Sequence, residues 1–353
     1  MRIHVFRYLC VLSVVAALAV GTNLNAQQSC SPCAPVPNAC GPVESPICGE
    51  PCYSCENFVQ VPCFYGKLES VFWSLEGNDR SLIMRDARGQ DQTAFTSNSV
   101  DRYVNGTPRV LLGLNLTGTI GIEGQYNGFH HWRNTATLHG DQDLFLPGPL
   151  GTAANDFFMA DQMTVFSESD FHSAEFNVVK RTRSPHLVWL VGFRYFNIDE
   201  KFGINSIVDN RAPNWSSDFV ASSGNNLYGA QIGAKWDRPI HDRFGLQAVG
   251  KAGLFSNSAK QSTWMGDDNN TYELRNASAA ATKTAFAGEL NLGGYIKISE
   301  NVSITGGYNL LWIGDVARAA DQLDFSYTTE SGKKLATDTL FMHGANVGVE
   351  WNF

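Results

Sequence analysis

The sequence predicts an all-β fold: a transmembrane antiparallel up-and-down barrel of about ten strands, with twelve as the alternative, behind a Cys/Pro-rich leader. Three observations predict it. The last residues alternate, with Ala345, Val347, Val349, Trp351 and Phe353 on one face and Asn346, Gly348, Glu350 and Asn352 on the other. That is the period-two pattern of a strand with one apolar and one polar face. The pattern recurs in nine earlier segments, and the connections between segments alternate in length. Short turns at one rim and long loops at the other is the organisation of an outer-membrane barrel.

From the N-terminus, Arg2 and Arg7 precede an apolar run from Tyr8 to Val20, and small residues follow around Asn25-Ala26. This layout predicts an export signal peptide over residues 1–26, which removes Cys10 on cleavage. The run falls short of the roughly 20 residues that a membrane-spanning helix needs. Residues 27–63 form a separate segment holding Cys30, Cys33, Cys40, Cys48, Cys52, Cys55 and Cys63, interleaved with Pro32, Pro35, Pro37, Pro42, Pro46, Pro51 and Pro62. The pairs Cys30/Cys33 and Cys52/Cys55 have zinc-ribbon spacing, but no His lies between residues 5 and 129. Exported cysteines oxidise, so disulfides are expected and no metal or cofactor is assigned. The odd count leaves one thiol for a covalent envelope partner, and the connectivity stays open.

Residues 64–353 carry the barrel. Strands are expected near 64–75, 108–116, 119–132, 165–181, 186–198, 225–237, 243–256, 282–298, 301–314 and 342–353. Short connections fall at Thr117-Gly118, between Thr182 and Pro185, between Arg238 and Asp242, and around Glu300. Long ones cover about 76–107, 133–164, 199–224, 257–281 and 315–341. The stretch Phe202–Val208 offers a further hairpin, which is the route to twelve strands. A mean hydropathy of -0.17 fits such a barrel, because only alternate residues face lipid. The net charge of -8 argues against nucleic acid as a partner.

Following the alternation assigns the faces. Ile120, Ile122 and Tyr126, then Trp189, Val191 and Phe193, then Tyr228, Ile232 and Trp236 read as lipid-facing, as do Phe286, Leu292, Ile304, Tyr308 and Trp312. The opposite faces hold Lys67, Glu69, Glu123, Glu175, Arg194, Lys235, Lys251, Glu289, Lys297 and Glu350. Charge on a lipid face costs several kcal/mol near the midplane, so these ten are expected to line the lumen. A barrel of about ten strands is only a little wider than the eight-stranded kind that side chains fill. A narrow or occluded lumen follows. Val349, Trp351 and Phe353 read as the signal recognised by the barrel-insertion machinery, and outer-membrane lipid is the other expected partner.

Several stretches, taken in order, resemble the planctomycete outer-membrane family known as beta-barrel porin-7. They are Val191–Phe196 running to Asp199-Glu200, Leu227–Gly233, Gly250–Leu254, Gly307–Trp312 leading to Asp321-Gln322-Leu323-Asp324, and Asn346–Glu350. The resemblance spans roughly residues 64–353, and a cysteine- and proline-rich leader is usual in such proteins. It implies an outer-membrane barrel with a transport role and no catalytic signature.

His130, His131 and His139 lie close in sequence to Asp141 and Asp143, and a His–Asp pair holding water is the chemistry of a rim hydrolase. Polar loop residues at a membrane rim explain them equally, and neither a Gly-x-Ser-x-Gly elbow nor a His-Glu-x-x-His motif is present. Asp267–Asn270 lacks the ordered ligand spacing of a calcium loop. The protein is therefore read as a non-enzyme. The leading role is a narrow pore for small solutes, selective through its lumen charges, because transport is the commonest task of such barrels; the alternative is a non-conducting barrel that anchors the cysteine segment or presents loops outside.

Overall fold

The computed structural model describes residues 62–353 apart from 77–79, 87–90, 100–103, 183, 185, 209–214 and 268–272. Twelve strands form one antiparallel sheet: β1 (Phe64–Glu76), β2 (Ser81–Asp86), β3 (Asp91–Thr96), β4 (Asn105–Asn115), β5 (Ile120–Phe145) and β6 (Ala160–Arg181), followed by β7 (Leu187–Val208), β8 (Trp215–His241), β9 (Phe244–Asp267), β10 (Glu273–Lys297), β11 (Val302–Val316) and β12 (Asp338–Asn352). Pairing of β5 with β6 closes ten of them into a ring, β1-β4-β5-β6-β7-β8-β9-β10-β11-β12. The strands β2 and β3 stand outside the ring as a hairpin that touches the far end of β5 through Met84↔Phe145 and Arg85↔Leu144.

The barrel thus has the expected ten strands, and the two additional strands lie in the first long connection, not at Phe202–Val208. That segment continues β7 in register with Phe219 and its neighbours on β8. The long connections expected over 133–164, 199–224 and 257–281 are in large part strand. In β9 and β10, beyond the lipid-facing band, both faces are polar or small, as in Ser256–Gln261 against Ala279–Thr284. The apolar alternation that marks a strand vanishes there while the ladder continues.

The wall is uneven. Strands β5 to β10 run 22 to 27 residues, whereas β1, β4, β11 and β12 run 11 to 15. A tilted membrane strand needs about 9–11 residues. The short strands therefore do little more than span, and the long ones stand well clear of the bilayer on the long-loop side. Behind that tall wall a core collects Leu82, Ile83, Leu144, Leu146, Leu150, Phe157, Met163, Ile204, Phe219 and Leu323, all at most 2% exposed. It draws on the β2–β3 hairpin, the short helix α1 (Gly148–Ala153) and the segment between β11 and β12.

At the other rim Phe64 and Phe353 exchange backbone hydrogen bonds of 2.9 and 2.7 Å, so both ends of the ring meet at the short-turn side. Cys63 just outside it is disulfide-bonded. The signal-peptide reading and the six other cysteine candidates lie outside the described residues.

Candidate functional site

The ten strands share an inner surface, and its side chains change character in the same order on several strands. From the short-turn rim, β1 presents Lys67 and Glu69 and then Val71, Trp73 and Leu75. On β7 Arg194 is followed by Phe196 and Ile198, and on β11 Asn309 by Leu311 and Ile313. A polar layer is therefore followed by an apolar one.

Ion pairs that cross the lumen make up the polar layer. Lys251 on β9 reaches Glu175 on β6 at 2.6 Å, and Arg194 on β7 reaches Glu289 on β10 at 2.5 Å. Lys235 on β8 pairs with Glu123 on β5, whose Oε1 also accepts from the Tyr65 hydroxyl at 2.7 Å. On the opposite side, Arg109 of β4 clasps Glu69 of β1 through Nε and Nη2, both at 2.6 Å, and donates to Asn309 on β11 at 3.0 Å. Lys67 adds a 3.0 Å contact to Glu69. Asn291, Asn309 and Asn346 link through their amides, and Asn346 donates to Glu69 at 2.7 Å. The pairs β6–β9, β7–β10, β5–β8 and β4–β11 each lie three steps apart around a ring of ten. Side chains joined across that distance run as chords through the lumen. Burying such charges is costly unless each is paired and hydrogen-bonded, and each of these four glutamates has a cation beside it.

Of the remaining residues expected on this face, Glu350 sits near the rim and accepts from Gln247 at 3.4 Å, while Lys297 is exposed at the end of β10. Arg109 and Gln231, which donates to Glu175 and to Asn177, are members that the sequence reading did not name. Both fall on inward parity, and Arg109 directly faces Glu69 across the β1–β4 ladder. That register was the missing signal.

The apolar layer above contains Trp73, Trp132, Phe171, Phe196, Leu227, Phe255, Leu311 and Met342, all buried. Phe196 touches both Phe171 and Phe255, with ring centroids 6.1 and 5.2 Å apart, so aromatic contacts bridge β6, β7 and β9. Farther still, residues 317–337 turn back against the inner wall of the tall half of the barrel. The amide of Asn225 donates to the Ala317 carbonyl and its oxygen accepts from the Ala317 N–H, both at 2.8 Å. Glu200 takes Arg318 Nε at 2.9 and 3.1 Å and the Ala319 N–H at 2.9 Å. Gln261 holds the Gly332 carbonyl at 2.6 Å, and Arg275 grips the carbonyls of Asp324 and Ser326. Gly332 has φ +77, a left-handed turn that favours glycine. Asp324 resists the burial that would raise its pKa. Hydrogen bonds from the Ser326 hydroxyl and from the N–H groups of Ser326 and Gly332, with Arg275 nearby, hold its carboxyl below the ordinary value.

The residues considered for a rim hydrolase do not converge. Phe129, at φ 63, sits in a bulge between Asn127 and His130 that shifts the parity of β5. His130 turns inward between Thr107 and Asn127 and stacks on Trp132 at 5.4 Å. Its neighbour His131 faces out and meets Asp170 at 2.8 Å. Asp143 pairs with Arg85, which also holds the His139 carbonyl. Residues 268–270 of the acidic cluster lie outside the described residues. Among the described residues no group of three His, Cys, Asp or Glu is close enough together to hold a metal ion.

The outward face carries the exposed apolar residues: Ile232 is 65% exposed, Val191 55% and Phe286 53%, with Tyr195 and Tyr228 in contact at 4.8 Å toward the long rim. A closed ring whose apolar surface faces outward and whose charges face inward is a membrane barrel. The family profile described as beta barrel porin-7 matches residues 65–353. The chain belongs to the beta barrel porin-7 family. It is an outer-membrane protein with a porin-like fold. No curated protein matches it. Among solved structures, the Escherichia coli outer membrane protease OmpT is similar at 7% identity and TM-score 0.39, over 82% of this chain and 96% of that one. Acinetobacter baumannii CarO is similar at 10% identity and TM-score 0.27, over 83% and 98%. The translocator domain of the Neisseria meningitidis autotransporter NalP gives 9% and 0.26, over 84% and 90%.

Proposed function

We propose that this beta barrel porin-7 protein is a closed outer-membrane barrel whose resting lumen does not conduct. It acts as a membrane anchor, with the cysteine segment on the periplasmic side and the tall wall with its loops outside. The observation that carries this reading is the stacking of three obstructions along one axis: the crossed ion pairs around Glu175 and Glu289, the aromatic layer around Phe196, and the inserted segment 317–337. A diffusion pore needs a continuous wetted path. Here the middle layer is apolar and its aromatics pack on one another from β6 to β9, which opposes both water and ions.

A second reading, a narrow pore for small solutes, has the family description in its favour. Liposomes carrying the refolded full chain separate the two. In isotonic sugar or amino-acid solution the anchor should give the swelling rate of empty liposomes. Rapid swelling with the smallest solutes establishes the pore instead. A hydrolase finds little support, because His130 and His131 point to opposite faces of the wall.

A further inference from the structure

The outer face of the wall also meets other molecules, and one part of it is indented. On the outward face of the tall wall lies a depression of about 690 Å³ that spans β6 to β10. Two register rows make its floor. In one, Asp199 pairs with Gly224 and Gly224 with Lys260; in the next, Lys201 pairs with Ser222 and Ser222 with Ser262. Gly224 creates the relief: a Cβ there would come within 2.7 Å of Lys260 Cε and 2.8 Å of Asp199 Oδ1, so these two side chains lean over the bare backbone from either side.

Charge and height together select an occupant. Two further carboxylates line the depression and are engaged, Glu168 in an ion pair with Arg133 at 3.1 Å and Asp170 in a hydrogen bond with His131 at 2.8 Å. Lys201 lies over the Phe166 ring at 5.7 Å, and neither Lys201 nor Lys260 is in an ion pair among the described residues. Two ammonium groups therefore flank a floor of hydroxyls, with Asp199 the outward lining carboxylate that is in no ion pair among the described residues. Asp199 stands four residues beyond Tyr195, which is about 13 Å along a strand and roughly 9 Å in height at a 45° tilt. Tyrosines such as Tyr195 and Tyr228 mark the edge of the hydrocarbon. The depression is thus level with lipid headgroups.

We propose that it binds the phosphorylated sugar headgroup of an outer-leaflet glycolipid, with Lys201 and Lys260 on phosphate and with Ser222, Ser262 and Asp199 on sugar hydroxyls. The inference uses the orientation given under Proposed function but not the closed lumen, so a conducting barrel would leave it intact. Native mass spectrometry of the full chain in detergent, with diphosphorylated lipid A added, tests it. One lipid A should stay bound, and Lys201→Glu with Lys260→Glu should weaken retention at least about tenfold, the equivalent of 1.4 kcal/mol. Ser262→Trp, which fills the depression without altering charge, should do the same, while Lys333→Glu elsewhere should not. Heat-modifiable gel migration confirms that each variant is folded. Equal retention by parent and variants overturns the proposal. So does equal competition by phosphatidylglycerol or inorganic phosphate, and so does a dimer in light scattering that the same variants dissociate.

Discussion

Arg109 and Glu69 face each other across the β1–β4 ladder, and two guanidinium nitrogens converge on a single carboxylate oxygen at 2.6 Å. The same arginine approaches Glu289 at 3.9 Å and bonds Asn309, so it ties the low side of the ring to the cross-lumen pairs on the tall side.

Arg109→Ala leaves Glu69 with Lys67 as its one cation and strips a donor from Asn309. Removing one partner from a buried pair typically costs about 3–5 kcal/mol. Urea unfolding in detergent should show a loss of that order. Arg109→Lys should lose less, yet measurably, because an ammonium cannot reproduce the guanidinium fork.

The inserted segment can be loosened without unfolding the barrel. Glu200→Ala removes the acceptor of both Arg318 and the Ala319 N–H. Hydrogen bonds to charged groups contribute about 1.5–3 kcal/mol each, and the lost carboxylate also strands a buried arginine. Limited proteolysis should then cut within residues 319–337, while the heat-modifiable shift of the intact barrel persists.

Acid should loosen the same segment. The carboxyl of Asp324 is depressed in the folded state by the bonds from Ser326 and Gly332. A depressed carboxylate contributes stability that is present above its unfolded value, about 3.9, and is lost as pH falls through the lower folded value. Hydrogen exchange in residues 317–337 should therefore rise below about pH 4. Asp324→Asn should give faster exchange at neutral pH and remove that acid-dependent step.

Much of this architecture is visible in the sequence, and the gaps have physical causes. The ten ring strands show themselves where one face meets lipid, because only there does apolar alternation separate the faces, as in Leu187–Tyr195. Where β9 and β10 rise beyond the lipid, Ser256–Gln261 and Ala279–Thr284 are polar or small on both faces, and the pattern disappears. The fate of residues 317–337 depends on acceptors and donors such as Glu200, Asn225 and Gln261, which come from strands far away in the chain. Alternation along β5 puts the adjacent His130 and His131 on opposite sides of the wall, and the bulge at Phe129 decides which of them turns inward. Glu69 and Glu289 could be placed on the polar face by alternation, but the Arg109 partner of Glu69 required the register, and the Arg194 partner of Glu289 required the closed ring.

Phe353 offers a separate test of assembly. Its backbone bonds to Phe64 do not depend on the ring, and its side chain is 64% exposed. Phe353→Ala should leave the stability of refolded barrels within about 0.5 kcal/mol, as for a surface substitution. If the terminal aromatic is read by the insertion machinery, the same variant should reach the outer membrane of living cells more slowly, which pulse-chase fractionation would record.

Planar-bilayer recording of the refolded full chain tests the closed lumen most directly. With Lys251 on Glu175, Arg194 on Glu289 and the Phe196 layer in place, current should stay at the bare-bilayer baseline across salts and voltages. Steady ohmic steps that shift when Lys251→Ala or Glu289→Gln is introduced would contradict the account.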